Sequence, residues 1–336
     1  MKVLGRTLLI GIVFMVFAAQ WLAPNSPDQQ FSDYFYAPPA RVHAMGIAGG
    51  FYFYPVRNVN RLERRFEEVR EHPVRLEWFR NGRLLSVNPA EHAPLFLLGA
   101  DSYGRDIFSR LLFGARASLG VAALATAVAI LLGTMIGGLA GYAGGLIDEL
   151  LSRLSDFILV LPAIYVVLAL RAVLPLVLPP RTVFVLLAGL FGLVAWPIVA
   201  RGVRSIIAGE REREYVMAGC AAGAGPLRLF VKHLLPAARG FLSTQATLLL
   251  PAFILAEATL SYVGLGFPDT VPTWGTMLHD ASNVALLGEA PWMLAPAAAI
   301  FLVVLSINLL VQGAGRSPLL EMEAFARNDI PVKLES

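Results

Sequence analysis

REREYVMAGCAAGAGPLRLFVKHLLP, from Arg211 to Pro236, decides how the rest of the chain is read. Its ends are polar and basic, and its middle, Ala218 to Ala222, carries almost no side chain. Long apolar segments flank it on both sides. The residues from Glu210 onward begin as good helix formers. Gly223 suits the left-handed residue that ends a helix, and Gly225-Pro226 restarts one with proline at its first position. In the second helix Leu227, Phe230, Val231 and Leu234 form an apolar face and Arg228 and Lys232 a basic one, with Leu235-Pro236 as its end. The expected shape is helix, small turn, helix: a knob whose bare face lets another protein come close to its backbone. Loop statistics alone leave an ordinary surface helix pair equally open.

Composition sets the surroundings. Of 336 residues, 57% are hydrophobic and only 15% charged, where a soluble domain carries about 25% charged. Several apolar runs reach the ~20 residues that cross a bilayer. The chain therefore reads as an all-α polytopic membrane protein. Its net charge of +3 fits basic loops on one side of a membrane, not nucleic-acid binding. The single Cys220 excludes an internal disulfide and a cysteine-rich metal site. No catalytic, cofactor or metal pattern stands out, and no phosphate loop of the GxxxxGK[ST] type is present. If ATP is used, another subunit hydrolyses it.

Working outward, Thr7 to Ala23 is apolar and ends near Trp21 and Pro24. A cleaved signal peptide and a retained first span both fit it; Trp21 as an interfacial anchor favours the span. Lys2 and Arg6 place the N-terminus in the cytoplasm. Residues 25–116 are hydrophilic and read as a small α+β or all-β lobe outside the membrane. Within it the charged run from Arg61 predicts a short helix and then a strand pair, with Val74, Leu76 and Trp78 pointing one way and Asn81-Gly82 as the hairpin turn. From Leu97 to Arg116, Ile107, Leu111 and Leu112 oppose Arg105, Asp106 and Arg110. That predicts an amphipathic helix along the membrane surface, capped by Asp101 or Ser102.

Ala117 to Tyr142 is the second expected span, and its Gly133, Gly137, Gly138 and Gly141 predict close approach to another helix. Gly144 to Asp156 is an amphipathic cytoplasmic link. Phe157 to Leu178 is the third span, broken by Pro162, with Arg171 either snorkelling or facing a water-filled path. Thr182 to Ala200, kinked near Pro197, Phe241 to Val263, and Trp292 to Gln312 are the remaining spans. The chain so divides into an N-terminal helix (1–24), the lobe (25–116), a five-helix core (117–315) holding the loop 201–239, and a cytoplasmic tail (316–336). Six spans with both ends inside put that loop in the cytoplasm. Arg201, Arg204, Arg211, Arg213, Arg228, Lys232 and Arg239 agree, while residues 264–291 on the opposite side hold no Lys or Arg.

The central loop resembles the EAA motif of ABC-importer permeases: EAA, three residues, Gly, nine residues, Ile-x-Leu-Pro. Ala218, Gly223, Leu235 and Pro236 match, and Met217, Gly219 and His233 depart. The peptide and nickel branch typically reads REREYVxAARALGA, close to REREYVMAGCAAGAG from Arg211 to Gly225. LLGADSYGRDIFSRLLFGAR from Leu97 is similar to that branch's LLGTDxLGRDxxSRLLYGAR. GLAGYAGGLID, ILAEATLSYVGLGF and PTWGTML are similar to its other signatures. The likeness covers most of the chain and is specific for the C-type permease subunit of dipeptide, oligopeptide and nickel importers. The outer segment is longer than in typical dipeptide members by roughly several tens of residues. Gln312-Gly313-Ala314-Gly315 stands where an acidic Gly-Asp-Gly ending is usual.

The resemblance implies the type I ABC importer permease fold, with six transmembrane helices and a small extracytoplasmic lobe after the first. It implies a non-catalytic subunit in the bacterial inner membrane, both termini cytoplasmic, importing peptides, or nickel or another small solute by the same machinery. The implied partners are a homologous second permease, two cytoplasmic ATPase subunits and an extracytoplasmic substrate-binding protein. In the loop, Glu214 and Tyr215 become flanking contacts, Ala218, Gly219 and Ala222 the close-packed surface, Gly223 the turn, and Leu235 and Pro236 the end of the ATPase-coupling segment. Glu214 is equally readable as an ordinary surface residue. Gln245, Glu257 and Asn308, polar residues within spans, face either the translocation path or a neighbouring helix as packing glue. Two other classes remain: a membrane-anchored sensor, for which no long signalling domain is present, and an ion-driven carrier, for which no inverted repeat is found.

Overall fold

Among the described residues, four helices are long and apolar enough to cross a membrane: Ile107–Ala143, Pro180–Arg211, Pro226–Tyr262 and Pro291–Val311. The computed structural model describes residues 2–44, 50–60, 64–88, 91, 93–175, 178–282 and 287–328. A fifth crossing arises if Gly145–Val160 and Ala163–Val173, bent by 85° at their junction, form one span. The N-terminal helix α1 (Lys2–Phe17) has 16 residues and is short for a crossing by itself. A four-residue helix, α2 (Ala19–Leu22), follows it. The six apolar runs of the sequence thus become four long helices, one bent pair and one short helix.

Helix α3 (Ile107–Ala143) corrects the expectation of a separate amphipathic helix before the second span: the two are one continuous helix. Its cap is Asp106, whose carboxylate accepts from the Phe108 and Ser109 backbone N–H groups. Asp101 instead accepts from the N–H groups of Tyr103 and Arg105 and shapes the preceding turn. The charges expected on the polar face of that helix, Arg105, Asp106 and Arg110, are all buried.

Glycines seat α3 on α6 (Pro180–Arg211). A Cβ on Gly137 would lie 2.2 Å from the Ala200 carbonyl oxygen, and one on Gly141 would lie 2.6 Å from that of Arg204. Gly133 meets Val199 in the same way. The expected close approach is therefore between these two helices. Helix α6 keeps Pro197 within it and runs on past Ala200 to Arg211. Val199, Val203 and Ile207, four residues apart, continue its buried stripe, which is why the helix does not stop where its apolar run thins.

Helix α4 (Gly145–Val160) crosses the boundary drawn between a polar link and the third span. It breaks before Pro162, because Leu161 is extended and proline both lacks an N–H and disfavours a helical neighbour. Helix α5 (Ala163–Val173) follows. Ion pairs from Arg204 to Asp148 and from Arg201 to Asp156 hold α4 to α6.

The lobe contains a four-stranded antiparallel sheet in the order β1 (Val42–Ala44), β2 (Phe51–Phe53), β5 (Val74–Trp78), β6 (Leu85–Val87). A separate pair joins β3 (Val56–Asn60) to β4 (Arg65–Glu68). The short helix expected in the charged run is instead strand β4; residues 61–63 lie outside those described. Phe53, Val74, Leu76 and Leu95 form the lobe's core. Trp78 does not join it and is half exposed. The β5–β6 connection is longer than the two-residue turn predicted: Phe79 is left-handed and a 3-10 turn covers Arg80–Gly82.

Helices α9 (Leu235–Tyr262), α10 (Trp274–Asp280) and α11 (Ala295–Asn328) complete the chain. The expected tail begins inside α11, and residues after 328 lie outside those described.

Candidate functional site

Between α6 and α9 the chain makes an elbow. The Arg211 guanidinium donates to the Tyr142 carbonyl at 2.8 Å and so ties the end of α6 to the end of α3. Helix α7 (Glu214–Ala221) then turns away. Val216 is buried and anchors it. The Tyr215 hydroxyl donates to Glu210 Oε2 at 2.6 Å, and its ring lies 6.2 Å from that of His233. The bond to the Glu210 carboxylate holds the phenol's proton more tightly than usual. Arg213 pairs with the other Glu210 oxygen at 3.2 Å.

Gly223 ends α7 at φ +77°, the left-handed conformation expected of it. Its N–H donates to the Cys220 carbonyl at 2.9 Å, and that of Ala224 to Gly219 at 3.1 Å. These paired bonds satisfy the last helical carbonyls in the Schellman manner. Gly225 is extended, and Pro226 opens α8 (Pro226–Leu229).

The helix does not end at Leu235-Pro236. A π turn at Phe230–Leu234 leads directly into α9. Pro236 has no N–H to give a carbonyl one turn back, and the wider turn accommodates that defect. The altered register also moves the apolar face. Leu229 and Leu234 are buried and Phe230 is half-buried, while Leu227 and Val231 are exposed. The Phe230 ring sits on α3, where a Cβ on Gly138 would come within 2.5 Å of it.

Of the residues singled out, Glu214, Tyr215, Ala218, Ala222 and Gly223 open outward. Gly219 faces inward: a Cβ there would meet Leu229 Cδ2 at 3.0 Å, so its bareness lets the two arms of the elbow close on each other. Leu235 and Pro236 are half-buried where the elbow joins α9. The result is a braced knob with a surface of small side chains.

The polar residues within spans do not gather. Glu257 is 0% exposed and accepts from Ser118 at 2.7 Å and Ser261 at 2.8 Å. Ser118 in turn accepts from the Trp274 N–H at 3.1 Å. Glu257 thereby fastens α3, α9 and the start of α10 together. Gln245 is half-buried and lies 12 residues away on α9, about 18 Å along the axis. Asn308 is exposed on α11. Arg171 is buried and donates to the Pro175 carbonyl at 3.1 Å.

One cluster escaped sequence reasoning. Arg105 donates to Asp101 at 2.6 Å and to Asp280 at 2.9 Å, and Arg110 lies 3.6 Å from Asp101. Burial raises the Asp280 carboxyl to about 6 against the opposing pull of Arg105. Burial likewise raises the Asp106 cap to about 6, opposed by hydrogen bonds from Ser109 and Asn25. The spacing of Gly104-Arg105-Asp106 and Arg110 is the one signal of this cluster in the sequence, and it is indistinguishable there from amphipathicity. Among the described residues no His, Cys, Asp and Glu side chains gather in threes as metal ligands would.

Residues 129–316, which hold α6, the elbow and α9, match the family described as binding-protein-dependent transport system inner membrane component. A di/tripeptide transport system permease protein, DppC, of Pseudomonas aeruginosa (strain UCBPP-PA14) is 31% identical over 310 residues, 92% of this chain and 84% of that protein. The dipeptide permease protein DppC of Alkalihalophilus pseudofirmus is 39% identical over 216 residues, 64% of this chain and 68% of its own. The oligopeptide permease protein OppC of Bacillus subtilis is 35% identical over 216 residues, with the same two coverages of 64% and 68%. Among solved structures, a chain of the inward-facing MetNI methionine ABC transporter superposes with a TM-score of 0.40 at 19% identity, covering 60% of this chain and 95% of that one. With its long apolar helices, its family match over more than half its length and a relative aligned along nearly all of it, the chain belongs to the family of binding-protein-dependent transport system inner membrane components.

Proposed function

We propose that the chain is the permease subunit of an ATP-binding-cassette importer that carries small peptides across the bacterial cytoplasmic membrane. The observation that carries the proposal is the elbow: exposed Ala218, Ala222 and Gly223 on a knob braced to α3 and α6. On this reading α7 seats in a cleft on a cytoplasmic ATPase subunit, with Glu214 and Tyr215 at its flank. Leu235 and Pro236 then lead the chain back into the membrane. A second ATPase serves a homologous second permease, and an extracytoplasmic binding protein delivers the cargo. ATP binding and hydrolysis supply the differential free energy between inward- and outward-facing states. The chain itself performs no hydrolysis.

The six crossings are α1 with α2, α3, the bent α4–α5 pair, α6, the continuous α8–α9 helix and α11. Both termini and the elbow then lie in the cytoplasm, and the lobe lies outside. Gln245 and Asn308 face the path or the partner permease, and Glu257 holds the outer loop in place beside it. Peptide cargo rests on the named relatives, which are di/tripeptide, dipeptide and oligopeptide permease proteins.

The test is co-expression with candidate partner subunits, isolation of the complex, and ATP-driven uptake of labelled di- and tripeptides into proteoliposomes. Co-isolation with an ATPase pair and peptide uptake are expected. Uptake of nickel in place of peptides would change the cargo and leave the coupling reading standing. Isolation without any ATPase, from cells that make one, would overturn it.

A further inference from the structure

The β5–β6 tip carries large apolar side chains that the lobe does not use. Phe79 is 77% exposed and Trp78 48%. Phe51, 40% exposed, packs edge-on to Trp78 with ring centroids 5.7 Å apart. Phe79 also sits at φ +54°, a conformation disfavoured for a side chain of this bulk. Neither packing nor backbone preference calls for a phenylalanine there.

Hydrogen bonds fix the position of the tip. The Leu84 N–H donates to the Trp21 carbonyl at 2.6 Å, and the Phe79 N–H donates to the Leu84 carbonyl at 3.2 Å. Arg83 donates to the Pro24 carbonyl. The tip is thus bonded to the chain just beyond α1. The edge of the apolar zone at this end is marked by Arg116, the last charged residue before 27 uncharged residues of α3. Arg116 donates to the carbonyls of Val16 and Phe17 at 2.8 and 3.0 Å, so that edge lies level with Phe17. Trp21 is four residues further on, about 6 Å if helical. The headgroup layer on each side of the hydrocarbon core is about 5–8 Å deep. Trp21 and the tip therefore fall within it.

We propose that Trp78 and Phe79 insert into the lipid interface beside α1 and anchor the lobe to the bilayer surface. Phe14 and Phe17 on α1 and Trp21 on α2 are exposed, as the rings of the tip are. Aromatic rings favour this layer, where one side is apolar and the other wet. Arg80 pairs with Glu77, and Arg83 donates to the Pro24 carbonyl, so both guanidiniums of the tip have protein partners. The proposal rests on α1 being a membrane helix and is independent of cargo and of ATP coupling.

The experiment uses the full chain in phospholipid nanodiscs, with Cys220→Ser removing the one native thiol. Spin labels are placed singly at Phe79→Cys, at Glu71→Cys beyond the far end of β5, and at Phe14→Cys on α1. Oxygen, which concentrates in lipid, is expected to relax the label at 79 several-fold more, relative to a water-soluble nickel chelate, than the label at 71. A label at 79 as open to the nickel chelate as that at 71 would overturn the proposal. So would an immobilised label at 79 reached by neither reagent, which would mean a protein partner on this surface. Nickel access at 14 would locate the failure in the reading of α1. If labelling at 79 disturbs the turn, brominated phospholipids provide a second measurement. Trp78→Phe is expected to remove a lipid-quenched component of the tryptophan emission, and an unchanged quenching profile would refute the anchor.

Discussion

The Tyr215 hydroxyl reaches back across the break between α6 and α7 to Glu210 Oε2, 2.6 Å away. With the Arg213–Glu210 pair, it holds α7 at a set angle to the long helix before it. Such a bond contributes about 0.5–1.5 kcal/mol net. Tyr215→Phe should therefore loosen the angle without unfolding the elbow. We expect peptide uptake to fall by roughly 2- to 10-fold, with ATP hydrolysis by the complex retained. Equal losses of uptake and of complex assembly would assign Tyr215 to assembly instead.

Gly223→Val places a β-branched residue at φ +77°. The left-handed conformation costs an ordinary residue about 1–2 kcal/mol, and a β-branched one more. The turn should change shape while the membrane helices stay intact. Uptake is expected to collapse with normal protein levels in the membrane, and normal uptake would remove the elbow from the coupling account.

Gly137→Ala tests a different glycine. Its Cβ would lie 2.2 Å from a backbone oxygen, so α3 and α6 must separate. Gly189→Ala, with open space around it, is the control. Loss of a monodisperse peak on size exclusion is expected for the first and not for the second.

Glu257→Leu removes an acceptor used by two serine hydroxyls. Leaving buried donors unsatisfied costs about 1–3 kcal/mol. A lowered melting midpoint in detergent is expected, with a smaller drop for Glu257→Gln. Ser118→Ala should add less than its own effect to Glu257→Leu, because the two share one network.

Acid should strengthen the Asp106 end of α3. Asp106 and Asp280 each have a folded pKa of about 6, against about 3.9 for an unfolded aspartate. Between those values the folded state holds protons that the unfolded state has lost. Stability therefore falls as pH rises from about 4 to about 6, then levels. Asp280→Asn should flatten that slope in part, as read by thermal unfolding at a series of pH values. An unchanged slope would show that Asp280 titrates normally.

How much of this was legible depended on the range of each interaction. The Gly223 turn and the Pro226 restart are local chemistry, and the structure has both. The glycines of α3 announced a close contact, though not its partner. Some misread features are set at long range, and others by local geometry that composition does not record. Arg105 and Arg110 look like a water-facing stripe until Asp280, 175 positions from Arg105, is brought against them. Strand β4 was masked by charges that alternate as well on a strand edge as on a helix. Gly219 seemed to serve an outside partner because Leu229, which fills the space above it, lies across a turn whose geometry the sequence does not specify. Pro236 looked like a terminator because a π turn leaves no mark in composition.

The glycine contact between α3 and α6 has a mechanical consequence. With backbone seated against backbone at Gly137 and Gly141, neither helix can slide along the other without its teeth colliding. The two behave as a single stiff beam. Helix α3 has 37 residues, so the beam is about 55 Å long. The elbow is fixed to one end of it through Arg211 and Phe230. A tilt of about 5° imposed there would carry the far end through about 5 Å at that length. On the proposed coupling, the glycines serve leverage as well as packing.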